Sequence, residues 1–265
     1  MKAIILNQAG SADNLIYQNI EKPSPKSGEV LIKTKALGIN PMDVFIRSSE
    51  QMLTAFLGDK RPAILGWDVA GEISGIGENV TNFKIGDPVF TSVSGGGYAE
   101  FAISSEATTM PIPENISFRE AAAVPVAALT AWQGLVKKGK LKKGDKVLIH
   151  AGSGGVGHFA IQIAKNLGAY VITTSSAKNK DFVMSVGADQ HIDYQAQMFY
   201  NVLSEIDVVF DTIGGETRER SFDVLKKGGI LVSVVPPLTP ELQKLADEKG
   251  VNSKHSPNPV YFPCQ

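Results

Sequence analysis

Along the chain the spacing of apolar residues changes once, and that change divides the sequence. Over roughly the first 118 residues, apolar positions form short runs rich in Val, Ile and Phe: KAIILN, GEVLIKTKALGI, AGEISGIG, DPVFTSV and YAEFAIS. Gly, Pro, Asn and Asp clusters separate them, which predicts short strands joined by turns. Only residues 44–57 interrupt this pattern, as one short helix. Residues 1–118 are therefore expected to form an all-β, barrel-like domain.

The period changes near Ser117. SFREAAAVPVAALTAWQGLVKKGK is helical in pattern, with Ser117 and Glu120 spaced as a capping box. Pro125 should break or kink it. Strands and helices then alternate: KVLIH, a helix over 155–167, AYVITTS, a helix in NKDFVMSVGA, QHIDY, IDVVFDTIGG, a helix in RSFDVLKKGG, and ILVSVVPP. Such alternation implies a parallel sheet covered on both faces, an α/β domain over residues 119–255. Residues 256–265, SPNPVYFPCQ, hold three prolines and no strand or helix pattern.

One junction carries chemistry. The apolar run Val147-Leu148-Ile149 leads directly into Gly152-Ser153-Gly154-Gly155-Val156-Gly157, which fits G-x-G-x-x-G. Behind it Val156, Phe159, Ala160, Ile163, Ala164 and Leu167 trace one apolar helix face. In this strand–turn–helix context Gly152 permits a tight turn, Gly154 lets the backbone approach a pyrophosphate, and Gly157 lets helix and strand pack closely. The helix N-terminus offers free N–H groups and a positive dipole end to phosphates. The alternative is a glycine turn with no ligand. An NAD site expects an acid about 20 residues after the first glycine. Here the second strand ends Thr173-Thr174-Ser175-Ser176-Ala177-Lys178-Asn179-Lys180, with no acid before Asp181. Hydroxyls and lysines suit a 2′-phosphate, so NADPH is the expected cofactor, unless these lysines are ordinary solvated charges.

Composition narrows the field. A net charge of −1 leaves no polybasic face, so nucleic acid and anionic membrane are not expected partners. No apolar run reaches bilayer length, and the N-terminal apolar run is too short for a signal-peptide core; a cytoplasmic protein is expected. The single cysteine, Cys264, rules out intramolecular disulfides and a cysteine-based zinc site.

With these residues in view, the chain resembles the medium-chain dehydrogenase/reductase superfamily, and within it the zinc-free, zeta-crystallin-like quinone oxidoreductases. GINPMD at residues 38–43, GWDVAGEISGIG at 66–77, GDPVF at 86–90, GGYAEF at 96–101, AALTAWQGL at 127–135, AGSGGVG and DVVFDTIGG at 207–215 carry the resemblance together. It covers residues 1 to about 237. It implies a GroES-like β-barrel catalytic domain joined to a Rossmann domain, with the active site in the cleft between them. It also implies that Asn40 and Thr130 lie near nicotinamide and acceptor, that Lys178 and Tyr194 reach the adenosine 2′-phosphate side, and that Thr212, Ile213 and Gly214 border the nicotinamide ribose. Relatives are commonly dimers or tetramers, so a homodimer or homotetramer is one option, and the sequence leaves the oligomeric state open. Asn40 has a plainer reading as a turn residue before Pro41, and Thr130 as a helix residue packing its methyl group; Tyr98 reads as structural, with lining of the cleft as the alternative.

Zinc-dependent members of this superfamily place a Cys near Gly38-Ile39-Asn40 and a His-Glu pair after the glycine at Gly66; here those positions are Asn40, Trp67 and Asp68. Three protein ligands are needed to hold catalytic zinc, and the four histidines, at 150, 158, 191 and 255, show no ligand spacing. Zinc is not expected, which removes the Lewis acid for simple alcohol oxidation. Hydride transfer from NADPH to a quinone or an α,β-unsaturated carbonyl remains; the alternative is an NADPH-binding protein without catalysis, redox-sensing or structural. Many relatives carry Tyr two residues after Asp43, where this chain has Phe45, so protonation is expected from water. Relatives also continue for several dozen residues beyond EKGVNSKH, in a segment expected to finish the Rossmann sheet; the chain therefore reads as truncated.

Overall fold

The computed structural model describes residues 1–235 and 238–256. The Pro-rich tail expected to be irregular lies, from residue 257 onward and including Cys264, outside the described residues. The chain divides into two compact units, Met1–Val126 and a second that begins at Ala127.

The first unit contains β1 (Lys2–Leu6), β2 (Leu15–Asn19), β3 (Glu29–Gly38), α1 (Pro41–Arg47), α2 (Glu50–Leu57), β4 (Asp68–Ile76), β5 (Pro88–Ser92), β6 (Phe101–Ser105), β7 (Met110–Pro111) and α3 (Phe118–Ala122). β1 and β2 form an antiparallel ribbon, and the others an antiparallel sheet in the order β6-β3-β4-β5-β7. All five expected strand runs are present. β2 was not expected: its side chains are mostly exposed, so no apolar alternation marks it. The one helix expected over residues 44–57 is two, because Ser49 Oγ accepts the Met52 N–H and starts a new helix there. Val30, Ile32, Val69, Ile73, Val89, Val93 and Ala102 fill the interior of this sheet.

The capping box at Ser117 forms as expected: Ser117 N–H donates to Glu120 Oε2 at 2.8 Å while Glu120 N–H donates to Ser117 Oγ at 3.3 Å. Pro125 then opens α4 (Pro125–Trp132). A proline is well placed in a first turn, where its N–H is not needed. A π-helical stretch, Gln133–Lys138, follows.

The second unit continues with β8 (Lys146–Ile149), α5 (Gly155–Asn166), β9 (Tyr170–Ser175), α6 (Lys180–Ser185), β10 (Gln190–Asp193), β11 (Ile206–Asp211), α7 (Gly215–Ser221), β12 (Leu225–Ser233), α8 (Pro240–Glu248) and β13 (Asn252–His255). Six parallel strands lie in the order β10-β9-β8-β11-β12-β13. Counted within the unit this is 3-2-1-4-5-6, the doubly wound Rossmann order, which reverses between β8 and β11. Alternate strand residues supply the two faces: Val147 and Ile149 pack with Ala160, Ile161 and Ala164 of α5, whereas Leu148 packs with Ile172, Val209, Phe222 and Leu231. Each such buried aliphatic side chain contributes about 2 kcal/mol.

Three expectations are corrected. RSFDVLKKGG does not form one helix: α7 ends at Ser221, and the chain is already in β12 from Leu225, where pairing with β11 and β13 outweighs the local helix pattern. Asn252–His255, where no strand was expected, supplies a sixth strand beside β12 among the described residues. The inner face of α5 is centred on Gly157, Ala160, Ile161 and Ala164, with Val156, Phe159, Ile163 and Leu167 at its rim; Ile161 was not among the expected positions.

Candidate cofactor site and acceptor site

The reversal point of the parallel sheet is where such folds bind ligands, outside the carboxyl ends of the strands. A cavity of about 550 Å³ lies there, walled by the ends of β8, β9 and β11 and by the segment after β10. Ser153, Gly154, Ser175, Tyr194 and Ile213 of the expected set stand on its wall, joined by Ser176 and Asn179. Gly152, Gly155, Val156, Gly157, Lys178, Thr212 and Gly214 do not.

The glycines explain this division. A Cβ on Gly157 would stand 2.2 Å from Ala151 O and 2.7 Å from Gly152 Cα, so α5 approaches the loop backbone as closely as expected. Gly152 has a different part from the one expected. The residue with positive φ is Ala151, at 52°, while a Cβ on Gly152 would lie 1.9 Å from Thr173 Oγ1. Gly152 therefore serves close packing on β9, and Ala151 makes the turn. A Cβ on Gly155 would meet nothing within 4 Å, and one on Gly154 only Ala151 O at 3.2 Å. These two glycines leave open space at the N-terminus of α5, as the cradle of a pyrophosphate requires.

Polar side chains tie the loop down. Asn179 Nδ2 donates to Ser153 Oγ at 3.0 Å and to Ser176 Oγ at 3.2 Å, linking the glycine loop to the end of β9. Ser175 is buried and its hydroxyl meets His191 Nε2 at 2.9 Å. Lys178 and Tyr194 are exposed. Neither Asn179 nor His191 was expected at the site; Asn179 reaches Ser153 across 26 positions and His191 reaches Ser175 across 16, and no local motif marks those pairings.

Beneath the cavity two buried networks hold the strand ends. His150 is fully buried; its ring meets Thr174 Oγ1 at 3.1 Å and Ser221 Oγ at 2.9 Å, and its carbonyl accepts the Thr212 hydroxyl at 3.0 Å. Burial lowers its pKa to about 4, against an opposing pull from Asp211. Asp211 Oδ1 accepts the N–H groups of Ile213 and Gly214, at 2.9 and 2.8 Å, which fixes the Thr212–Ile213–Gly214 turn. Burial would raise the Asp211 carboxyl, but hydrogen bonds from Gly214, Arg218, Ile213 and Ser233 hold it below the ordinary carboxylate range.

Asn40 belongs to the first unit and Thr130, buried on α4, to the second. The Asn40 N–H donates to Asp43 Oδ2 at 2.6 Å, and its side-chain Nδ2 to Asp68 Oδ2 at 2.8 Å. Asp68 Oδ1 accepts the Val126 N–H at 2.8 Å. Burial raises the Asp68 carboxyl to about 6, against hydrogen bonds from Asn40 and Val126 that lower it. Asp43 is raised by burial too, while Asn40 N–H, the Tyr98 hydroxyl and Gly66 N–H pull it down. Tyr98 is thus a hydrogen-bond partner of Asp43. Beside Asn40 in sequence, Ile39, Val44 and Phe45 are exposed apolar side chains.

The residues at the positions that hold zinc in zinc-dependent members are engaged within the protein. Trp67 is in the core with its ring edge-on to Phe56, the Asn40 amide is bound to Asp68, and both Asp68 oxygens already accept hydrogen bonds. Among the described residues no group of three or more His, Cys, Asp or Glu side chains is arranged to hold a metal ion. No helix among them is long and apolar enough to cross a membrane.

Comparison with known proteins identifies the family and the fold. The Alcohol dehydrogenase GroES-like domain matches residues 26–114, and the Zinc-binding dehydrogenase family matches residues 155–246. The chloroplast envelope quinone oxidoreductase homolog of Arabidopsis thaliana is 44% identical over 239 residues, 86% of this chain and 72% of that protein. The solved quinone oxidoreductase of Coxiella burnetii superposes with a TM-score of 0.88 at 36% identity, covering 97% of this chain and 83% of that one. The Escherichia coli quinone oxidoreductase, solved in complex with NADPH, superposes with a TM-score of 0.86 at 29% identity, covering 99% of this chain and 82% of that one.

Proposed function

The chain belongs to the quinone oxidoreductase branch of the medium-chain dehydrogenase/reductase superfamily and is an oxidoreductase, and from that premise we propose that it reduces a quinone or an α,β-unsaturated carbonyl with NADPH and without zinc. The observation that carries this reading is the acid-free end of β9, where Ser175, Ser176 and Asn179 wall the cavity beside the glycine loop. An NAD site would place a carboxylate there for the ribose 2′-OH. Hydroxyls and an amide leave room for a 2′-phosphate; Lys178 supplies an exposed cation nearby in sequence, and Tyr194 an exposed phenol on the same cavity wall.

In this reading the loop from Gly152 to Gly157 and the N-terminus of α5 hold the pyrophosphate, Ser175, Lys178 and Tyr194 the 2′-phosphate, and Thr212, Ile213 and Gly214 the nicotinamide ribose. Bound NADPH supplies the reducing hydride equivalent. Asn40 and Thr130 offer donors to the acceptor oxygen, on which negative charge grows as it is reduced. Exposed Ile39, Val44 and Phe45 suit an apolar acceptor. With Phe45 in place of a phenol, the final proton comes from water. The zinc-free reading is supported by the chemistry at positions 40, 67 and 68: neither an amide nor an indole is a useful zinc ligand, Trp67 is in the core, and both Asp68 oxygens already accept hydrogen bonds.

The test is NADPH oxidation at 340 nm with a panel of quinones and enones, and NADH in parallel. Acceptor-dependent oxidation, much slower with NADH, is expected. NADPH binding with no acceptor-dependent oxidation would replace this reading by that of a non-catalytic NADPH-binding protein.

A further inference from the structure

Asn40 is held at two points by two buried carboxylates. Asp43 takes its backbone N–H and Asp68 takes its side-chain Nδ2, and the two acids are 3% and 2% exposed. Asp68 reaches Asn40 across 28 positions of sequence. The space it needs is left by Gly38, where a Cβ would lie 2.7 Å from Asp68 Oδ2. Its other oxygen is bound to the Val126 N–H.

We infer that Asp68 is a positioning residue for the proposed reduction: its carboxylate fixes which end of the Asn40 amide is turned away from it. The inference rests on the part assigned above to Asn40. An ionised carboxylate only accepts hydrogen bonds, whereas an amide has a donor end and an acceptor end. Nδ2 must therefore face Asp68, since a flipped amide would set two acceptors against each other. The orientation leaves the second N–H of Asn40 as a donor. A donor stabilises an acceptor oxygen as it gains charge, and a misplaced Oδ1 would repel it.

Asp68→Asn keeps the shape but not the constraint. The Val126 N–H still claims one oxygen, so the new NH2 faces Asn40 and demands its Oδ1. The expected result is a kcat for quinone or enone reduction lowered roughly 100-fold, with the KM for NADPH and the Tm nearly unchanged. Asn40→Ala should lose as much, and the double variant no more than either single one. Full kcat in Asp68→Asn beside a strong loss in Asn40→Ala overturns the inference while leaving the proposed function standing. Full kcat in Asn40→Ala removes the part assigned to Asn40, and this inference with it.

A second measurement reads the unaltered protein directly. In the unaltered 15N-labelled protein, the side-chain amide signals of Asn40, assigned by their loss in Asn40→Ala, should shift as Asp68 titrates. Asp43 and Tyr98 are the other titratable groups held against Asp68, so the shift is assigned to Asp68 by its absence in Asp68→Asn. Signals that do not move with pH overturn the inference.

Discussion

Arg218 Nε lies 2.8 Å from Asp211 Oδ2, with both side chains buried, and the same carboxylate pins the turn that follows β11. Breaking a buried pair by removing one partner leaves an uncompensated charge. Arg218→Met is expected to destabilise the second unit by about 3–5 kcal/mol in chemical denaturation. The lowered Asp211 pKa contributes stability that is present above the ordinary carboxylate value of 3.8 and is lost as pH falls through the lowered one. Acid unfolding of Arg218→Met should therefore begin at higher pH than that of the unaltered protein.

Two buried groups give the units opposite responses to acid. The unfolded His150 binds a proton near 6.5 and the folded one only near 4, so the second unit weakens between those values. Folded Asp68 binds its proton near 6 and the unfolded one near 3.8, so the first unit strengthens as pH falls across that range. Each effect is about 3 kcal/mol. Urea midpoints followed against pH should show His150→Gln losing the acid weakening and Asp68→Asn losing the acid gain. Slopes identical to those of the unaltered chain would refute the assignment.

The glycine loop separates structure from binding. Gly157→Ala drives a Cβ into Ala151 and Gly152 backbone atoms, so both Tm and NADPH binding should fall. At Gly155 nothing stands within 4 Å, so Gly155→Ala should keep the Tm while weakening NADPH. Fluorescence titration beside thermal unfolding distinguishes the two.

If Lys178 meets the 2′-phosphate, Lys178→Ala should weaken NADPH about tenfold, or about 1.4 kcal/mol, and leave NADH unchanged. Equal loss for both cofactors would move Lys178 off that site.

The sequence made the local devices legible: the glycine spacing, the Ser117–Glu120 capping box and the acid-free end of β9 each lie within a few consecutive residues. It did not reveal that Ala151 rather than Gly152 makes the turn, because alanine does not signal a positive φ. Nor did it reveal β13, whose residues Asn252 to His255 are polar and largely exposed beside β12 and so carry no apolar run. The tethers from Asn179 to Ser153 and from Asp68 to Asn40 span 26 and 28 positions. Pairings at that distance exist only once the strands have set the register.

The π-helical stretch at Gln133–Lys138 also bears on what the chain tolerates. A π turn is an α-helix with one residue too many. That extra residue helps bring Gly134 against the Phe210 ring, where a Cβ would approach to 2.2 Å. Deleting one residue here would restore an ordinary helical ladder and improve local hydrogen bonding. It would also narrow the wide turn that lies beside Gly134 and the Phe210 ring. The segment thus acts as a spacer, in which a locally better helix would be a worse fit to the ring packed against it.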